Sequence, residues 1–325
     1  MTQKRILLTG ASGCIGHYIA ESLIQDTRHE LFLLVRNPDK FKLASKTRTG
    51  VNIVQADLKD IQLFSNLLKT IDVAILTATS WGGRQESNEI NIRKTIELIK
   101  LLNPANLQQV IYFSTASILD RNNQLLPEAG SKGTDYIRTK YECFLELEKL
   151  TIAEKITVLF PTLVVGGDRN KPYSHLSSGL PDVVKWINLI RWFKANGSFH
   201  FIHARDIAQI VGYLIDNPLG EESELFSSVP RKLVLGNERI TVNQAVEQIC
   251  SYLNKKIYFR FPLPLWLANL LTKILPIQMA PWDRFCLEYR HFTYQNIVNP
   301  ATFGMIPYCP TLADVLKQAG IGNEQ

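Results

Sequence analysis

A doubly wound α/β fold, a parallel sheet with helices on both faces, is predicted by three features of this sequence. Short, nearly continuous apolar runs alternate with longer amphipathic stretches through the first half of the chain. Such runs are expected of strands whose two faces are both covered. A glycine triplet follows the first run directly and opens the next helix, and the strand–helix order then repeats.

Strands are expected at residues 5–9 (RILLT), 31–35 (LFLLV), 51–54, 73–76 (VAIL), 110–113 (VIYF) and 156–160. Helices are expected at 15–25, 61–69, 85–102 and 134–149. In the third, Ile92, Ile96, Ile99 and Leu102 recur at helical spacing, and Asn103-Pro104 closes the run. The rhythm is lost after Gly166. Residues 166–200 are rich in Gly, Pro, Asn and Ser around one aromatic, basic helix at 182–195. A strand at 199–203, a helix at 205–216, a strand at 232–235 and a helix at 241–253 follow. A Pro/Trp/Leu-rich stretch at 262–282 carries Trp266, Leu267, Leu270, Leu271, Ile274, Leu275 and Trp282. The predicted organisation is a dinucleotide-binding lobe at 1–165, completed by about 199–230. A smaller, discontinuous substrate lobe takes 166–198 and 231–325. There is no internal repeat.

Composition narrows the function. In 325 residues, 46% are hydrophobic and 20% charged, as in a soluble globular enzyme. The formal charge of +6 is scattered, and no aromatic-basic run points to nucleic acid. Cys14, Cys143, Cys250, Cys286 and Cys309 form neither a CxxC unit nor a Cys/His cluster. The expectation is therefore no metal, no disulfide framework and reduced thiols in a cytoplasmic compartment. The first strand begins close to Met1, which leaves no room for a signal peptide. No uncharged apolar run reaches the roughly 18 residues of a membrane span. The chain is expected to be soluble, or at most to rest on a membrane surface.

Thr9-Gly10-Ala11-Ser12-Gly13-Cys14-Ile15-Gly16 joins the first strand to the first helix. Gly10 suits the tight turn, Gly13 the close approach of a pyrophosphate, and Gly16 the packing of helix on strand. The helix N-terminus offers free N–H groups to the anion. The second strand ends Leu34-Val35-Arg36-Asn37-Pro38, without the acid that would bind the ribose hydroxyl of NAD. Arg36 can pair with a 2′-phosphate, so NADP (NADPH) is expected over NAD. The alternative is a solvated arginine at a strand end.

Tyr136 and Lys140 stand at i, i+4 near the start of a helix, on one face. A neighbouring ammonium favours the phenolate and is expected to lower the tyrosine pKa towards neutrality. Upstream, Phe113-Ser114-Thr115-Ala116-Ser117 puts hydroxyls at the C-terminal end of the fifth strand, where open α/β sheets bind ligands.

These segments resemble the extended short-chain dehydrogenase/reductase enzymes, the NAD-dependent epimerase/dehydratase-like superfamily. The G-x-x-G-x-x-G spacing and Y-x-x-x-K are its signatures. Asn91 matches its N-[VI]-x-G-T motif, with Lys94 in place of glycine and Thr95 kept. Pro127-Glu128 supplies an acid shortly before the tyrosine, and Phe201-Ile202-His203-Ala204-Arg205-Asp206-Ile207-Ala208 matches F-[IV]-H-V-x-D-[VI]-A. The S-[ST]-x-x-x-[YF]-G pattern makes Thr115 the catalytic hydroxyl, with Ser114 one step behind, although its closing Tyr-Gly is Leu119-Asp120 here. The resemblance implies a Rossmann-like fold and a triad of Thr115, Tyr136 and Lys140. It implies a cofactor against Gly10, Ser12, Gly13, Cys14, Ile15, Gly16, Arg36, Asp57, Leu58, Thr77, Ala78, Tyr136, Lys140, Pro161 and Leu163. In such a site Asp57 binds the adenine; on the residues alone, Asp57 or Asp60 could equally cap the next helix.

Two reactions share these parts. Nucleotide-sugar epimerases and dehydratases typically read L-R-x-x-N-V-Y-G at the sixth strand, with the asparagine on the nucleotide phosphate. This chain reads Leu159-Phe160-Pro161-Thr162-Leu163-Val164-Val165-Gly166. It is closer to the 3β-hydroxysteroid dehydrogenase and dihydroflavonol reductase branch. The expectation is an NADP-dependent oxidoreductase that interconverts an alcohol and a ketone or aldehyde on a small apolar substrate. An epimerase/dehydratase and a non-catalytic NADP-binding sensor or assembly factor are the alternatives. Relatives of the last kind usually lose the tyrosine or lysine, and this chain keeps both. The aromatic helix at 183–194 and the 262–282 stretch are read either as core or as an apolar substrate funnel that could touch a membrane. A monomer and a homodimer are both compatible with the sequence.

Overall fold

Seven parallel strands form the central sheet of the computed structural model, which describes residues 2–43, 48–217, 228–264, 266 and 279–322. In chain order they are β1 (Arg5–Thr9), β2 (Glu30–Val35), β3 (Val51–Gln55), β4 (Val73–Leu76), β5 (Gln109–Phe113), β6 (Ile156–Pro161) and a last strand, Arg231–Leu235. Across the sheet the last strand pairs with β6, followed by β5, β4, β1, β2 and β3. The chain thus reverses direction between β1 and β4, and a crevice opens at their C-terminal ends.

Alternation along each strand sends its residues into two apolar layers. Ile6, Leu8, Leu31, Leu33, Ile111 and Leu159 face helices α1 (Cys14–Asp26) and Ala204–Asp216, through Ile19, Leu23, Ile207 and Val211. Leu7, Phe32, Leu34, Val110, Tyr112 and Val158 face the other way. There they meet Leu98 and Ile99 of helix Thr95–Leu101, and Cys143, Phe144 and Leu147 of helix Asp135–Leu147. Burial on both sides explains why the strands read as unbroken apolar runs.

Four expectations are corrected. The strand expected at 232–235, assigned to the second lobe, belongs to the main sheet, where Arg231–Leu235 pairs in register with residues 157–161. The helix expected at 61–69 is a 3-10 turn, Leu58–Phe64, followed by one short turn, Ser65–Leu68; Asp57 caps the former by accepting from the Lys59 N–H. The helix expected at 182–195 begins earlier and runs His175–Ile190. Ser174 caps it, and Pro181 sits inside without ending it, although proline usually reads as a stop. The strand expected at 199–203 is two short strands, Ser198–Phe199 and Phe201–His203.

Phe201–His203 pairs with Leu163–Val165 beside the crevice. Asp206 is fully buried and accepts the N–H groups of Tyr308 (2.5 Å) and Cys309 (3.3 Å), so it ties the C-terminal part of the chain to helix Ala204–Asp216. All five cysteines carry free thiols. Among the described residues no helix is long and apolar enough to cross a membrane. Leu267, Leu270, Leu271, Ile274 and Leu275 lie outside the described residues. Trp282 packs into the core, whereas Trp186 and Trp266 are exposed.

Candidate active site

β1 ends at Thr9 and the chain turns through Gly10, whose φ of +70° favours glycine. A Cβ on Gly10 would lie 2.7 Å from the Ala78 nitrogen, and one on Gly16 would lie 2.2 Å from the Gly10 carbonyl oxygen. The loop after β4 is therefore drawn against the loop after β1. The Thr77 hydroxyl donates to the Thr9 carbonyl (2.7 Å), and the Ala78 N–H donates to the Thr9 hydroxyl (3.3 Å). Gly13 caps α1 with no side chain, which leaves the first-turn N–H groups to an outside acceptor. This side-chain-free cradle at a positive helix end fits a dinucleotide pyrophosphate.

The remaining side chains come from the ends of β2 to β6. Arg36 is exposed at the end of β2 and makes no ion pair with the described residues. Asp57 follows β3 and serves as a helix cap, its oxygen 2.9 Å from the Lys59 nitrogen. After β5, the Ser114 hydroxyl is buried with no hydrogen-bond partner among the described residues. The Thr115 hydroxyl bonds to the Ser117 hydroxyl and accepts the Ser117 N–H, both at 3.3 Å, and lies near enough to the Tyr136 phenol to oppose the upward push of burial on it. Ser114, Thr115 and Tyr136 all line the same cleft.

Thr134 caps helix Asp135–Leu147 by accepting the Ile137 N–H, which presents Tyr136 and Lys140 on one face. Lys140 is buried; its ammonium donates to the Phe113 carbonyl (2.7 Å) and the Tyr112 hydroxyl (3.3 Å) and lies 5.9 Å from the centre of the Tyr136 ring. The protonation expected for the pair needs correction. Burial pushes the Tyr136 phenol up, opposed by the nearby Thr115 hydroxyl, and pulls Lys140 down from 10.5 to about 8. Desolvation outweighs a cation that stands nearly 6 Å from the ring.

Glycine loop, Arg36, Asp57, Leu58, Thr77, Ala78, Thr115, Tyr136, Lys140, Pro161 and Leu163 all line one cleft of about 740 Å³. Ser12, Cys14 and Ile15 line it too. The Cys14 thiol is pushed up to about 12 by burial and by Asp168, so it remains a neutral contact. Asn91 reaches the site indirectly. It is fully buried in a π-helical turn, Glu89–Lys94, and its side chain grips the loop after β4.

Several wall residues carried no signal in the sequence. Trp81 stacks on Tyr136, ring centres 3.8 Å apart and planes 12° apart, and touches His175 at 4.7 Å. Tyr173, His175 and Leu176 complete the wall. Neither reading of 183–194 holds for its large exposed residues: Val183, Trp186 and Leu189 are not core and do not line the cleft, while Ile187 is buried. An aromatic between small residues just past a strand end, Ser80-Trp81-Gly82, was the one local hint.

Comparison with known proteins gives a consistent family. Residues 6–227 match the model of the NAD dependent epimerase/dehydratase family. Equisetin synthetase eqxS of Fusarium heterosporum is 29% identical over 157 residues, 44% of this chain and 4% of that protein. Phenylcoumaran benzylic ether reductase PT1 of Pinus taeda is 35% identical over 103 residues, 30% of this chain and 32% of that one. The match thus spans under a third of each relative's length. The crystal structure of gox2253 superposes with a TM-score of 0.69 at 17% identity, covering 98% of this chain and 97% of that one.

Proposed function

This chain belongs to the NAD dependent epimerase/dehydratase family, and from that premise we propose that it is an NADP-dependent oxidoreductase interconverting an alcohol and a ketone or aldehyde on a small apolar substrate. The observation that carries the reading is the meeting of Thr115, Tyr136 and Lys140 in the cleft that holds the glycine cradle. Such a cleft is what hydride transfer next to a proton donor requires.

Gly13 and the N-terminus of α1 would hold the pyrophosphate, with Gly10 and Gly16 shaping the turn behind it, Arg36 a 2′-phosphate and Lys140 the nicotinamide ribose. A reduced nicotinamide bound there would supply hydride to a carbonyl carbon. Thr115 and Tyr136 hold the carbonyl oxygen, and the phenol gives it a proton as the C–H bond forms; water then restores that proton. A phenol raised by burial is fully protonated at neutral pH, as an acid in the reductive direction must be.

The substrate end favours a net redox reaction over nucleotide-sugar chemistry. Among the described residues the charged side chains lining the cleft are Arg36 and Asp57, which follow β2 and β3, and Lys140 beside Tyr136. A nucleoside diphosphate would call for a further arginine or lysine at the substrate end. Residues 166–198 and the part after the last sheet strand are proposed as the substrate lobe. The experiment is NADPH oxidation against a panel of apolar ketones and aldehydes, with UDP- and dTDP-sugars in parallel. Net NADPH loss with an apolar carbonyl is expected; sugar conversion without net NADPH change would overturn the reading.

A further inference from the structure

We infer that Trp81 is a specificity-determining residue: its indole is a flat wall that selects a planar, conjugated carbonyl substrate, such as an aryl ketone, over a saturated one of the same size. The inference rests on the oxidoreductase reading and narrows its substrate class.

The indole lies parallel to the Tyr136 ring, with centres 3.8 Å apart, so one face is covered by the residue proposed to protonate the substrate. The tilted His175 ring, its centre 4.7 Å away, covers part of the indole, yet Trp81 stays 57% exposed where it borders the cleft. A merely structural tryptophan would bury most of its surface. This one leaves an apolar surface in water beside the proton donor, which favours covering it with a flat partner.

Position makes the wall rigid. Ser80, the preceding residue, is held through both backbone groups by Asn91, and the Gly82 N–H donates to the Ser80 hydroxyl at 3.1 Å. The His175 ring touches the indole at 55° and limits its tilt. A preset aromatic loses little rotamer freedom when a ligand stacks on it. Leu176 and Tyr173 line the cleft with Trp81. A carbonyl held by Tyr136 and Thr115 would extend its substituent along the indole, where a planar group stacks and a puckered ring does not.

The test uses a matched pair, 2-acetylnaphthalene and 2-acetyldecalin, titrated calorimetrically into the NADP-saturated protein, where no turnover intervenes. Stacking of this kind is worth up to about tenfold in affinity. The wild type is expected to prefer the naphthyl ketone by roughly that factor, Trp81→Phe to keep most of the preference, and Trp81→Leu to lose it. Thermal melts establish that the variants are folded. Equal binding of the two ketones by wild type, binding of neither, or a preference that survives in Trp81→Leu would overturn the inference. NADPH oxidation with the same ketones separates the two levels. A Trp81-dependent preference without any oxidation upholds the wall and removes the oxidoreductase reading.

Discussion

Asn91 clasps Ser80 at two points: its Oδ1 accepts the Ser80 N–H at 2.7 Å and its Nδ2 donates to the Ser80 carbonyl at 3.0 Å. The same amide accepts from the Thr79 hydroxyl and donates to Thr139, both at 3.0 Å. One buried side chain on a π-helical turn thereby joins the loop after β4 to the helix that carries Tyr136 and Lys140. Asn91→Leu removes all four bonds; Thr139 keeps its bond to the Tyr136 carbonyl and the Ser80 carbonyl its long contact with the Ser87 hydroxyl, but the Ser80 N–H is left without a partner. A buried unsatisfied group costs about 1–3 kcal/mol, so a loss of about 2–3 kcal/mol is expected in urea unfolding. A loss near zero would mean that the loop is held by other contacts.

Gly16 tests the cradle. A glycine-to-alanine change inside a helix ordinarily stabilises by roughly 0.5–1 kcal/mol. Here the added Cβ would sit 2.2 Å from the Gly10 carbonyl oxygen, so α1 must retreat from the loop. Gly16→Ala is expected to weaken NADPH binding by on the order of a hundredfold, a loss of about 2.7 kcal/mol, in a fluorescence titration. Binding within a few-fold of wild type would show that the pyrophosphate lies elsewhere.

Arg36 decides between the two nicotinamide cofactors. The wild type is expected to bind NADPH at least about tenfold more tightly than NADH, and Arg36→Glu to reverse the order by repelling the 2′-phosphate. Equal binding of both cofactors by the wild type would make Arg36 no more than a solvated strand end.

Lys140 gives a pH signature with a definite sign. Its pKa falls from 10.5 to about 8 on folding, so the unfolded chain binds more protons between those values. The contribution of Lys140 to stability therefore rises with pH across that window, by up to roughly 3 kcal/mol. Chemical denaturation of wild type and Lys140→Met at pH 7.5 and pH 10 isolates it, because the other groups titrate alike in both. The wild type should gain on the variant by an amount of this order. A constant difference would mean that the lysine keeps an ordinary pKa.

Much of the molecule was legible because the relevant signals are local. The apolar runs give β1 and β4 to the residue, and all the expected cleft residues line one cleft, most of them at a strand end or in the glycine turn and Tyr136 and Lys140 on the helix Asp135–Leu147. What was missed depends on contacts distant in sequence. Trp81 and His175 are 94 positions apart, counted from their residue numbers, and meet only in the fold. The strand at 231–235 joins the main sheet by pairing with residues about 74 positions earlier, as in Arg231 with Thr157, so the sequence alone does not assign it to a lobe. The i, i+4 spacing reports that Tyr136 and Lys140 share a face, but not that both are removed from water, and that burial sets the direction of the Tyr136 shift.

The proton donor is the core of the functional proposal, and Tyr136→Phe measures it most directly. The substitution removes one oxygen and leaves the ring to stack on Trp81. With a carbonyl substrate that the wild type reduces, kcat should fall by about two orders of magnitude or more, while the dissociation constant for NADPH stays within a few-fold. Wild-type turnover in Tyr136→Phe would contradict the assignment of Tyr136 as the acid.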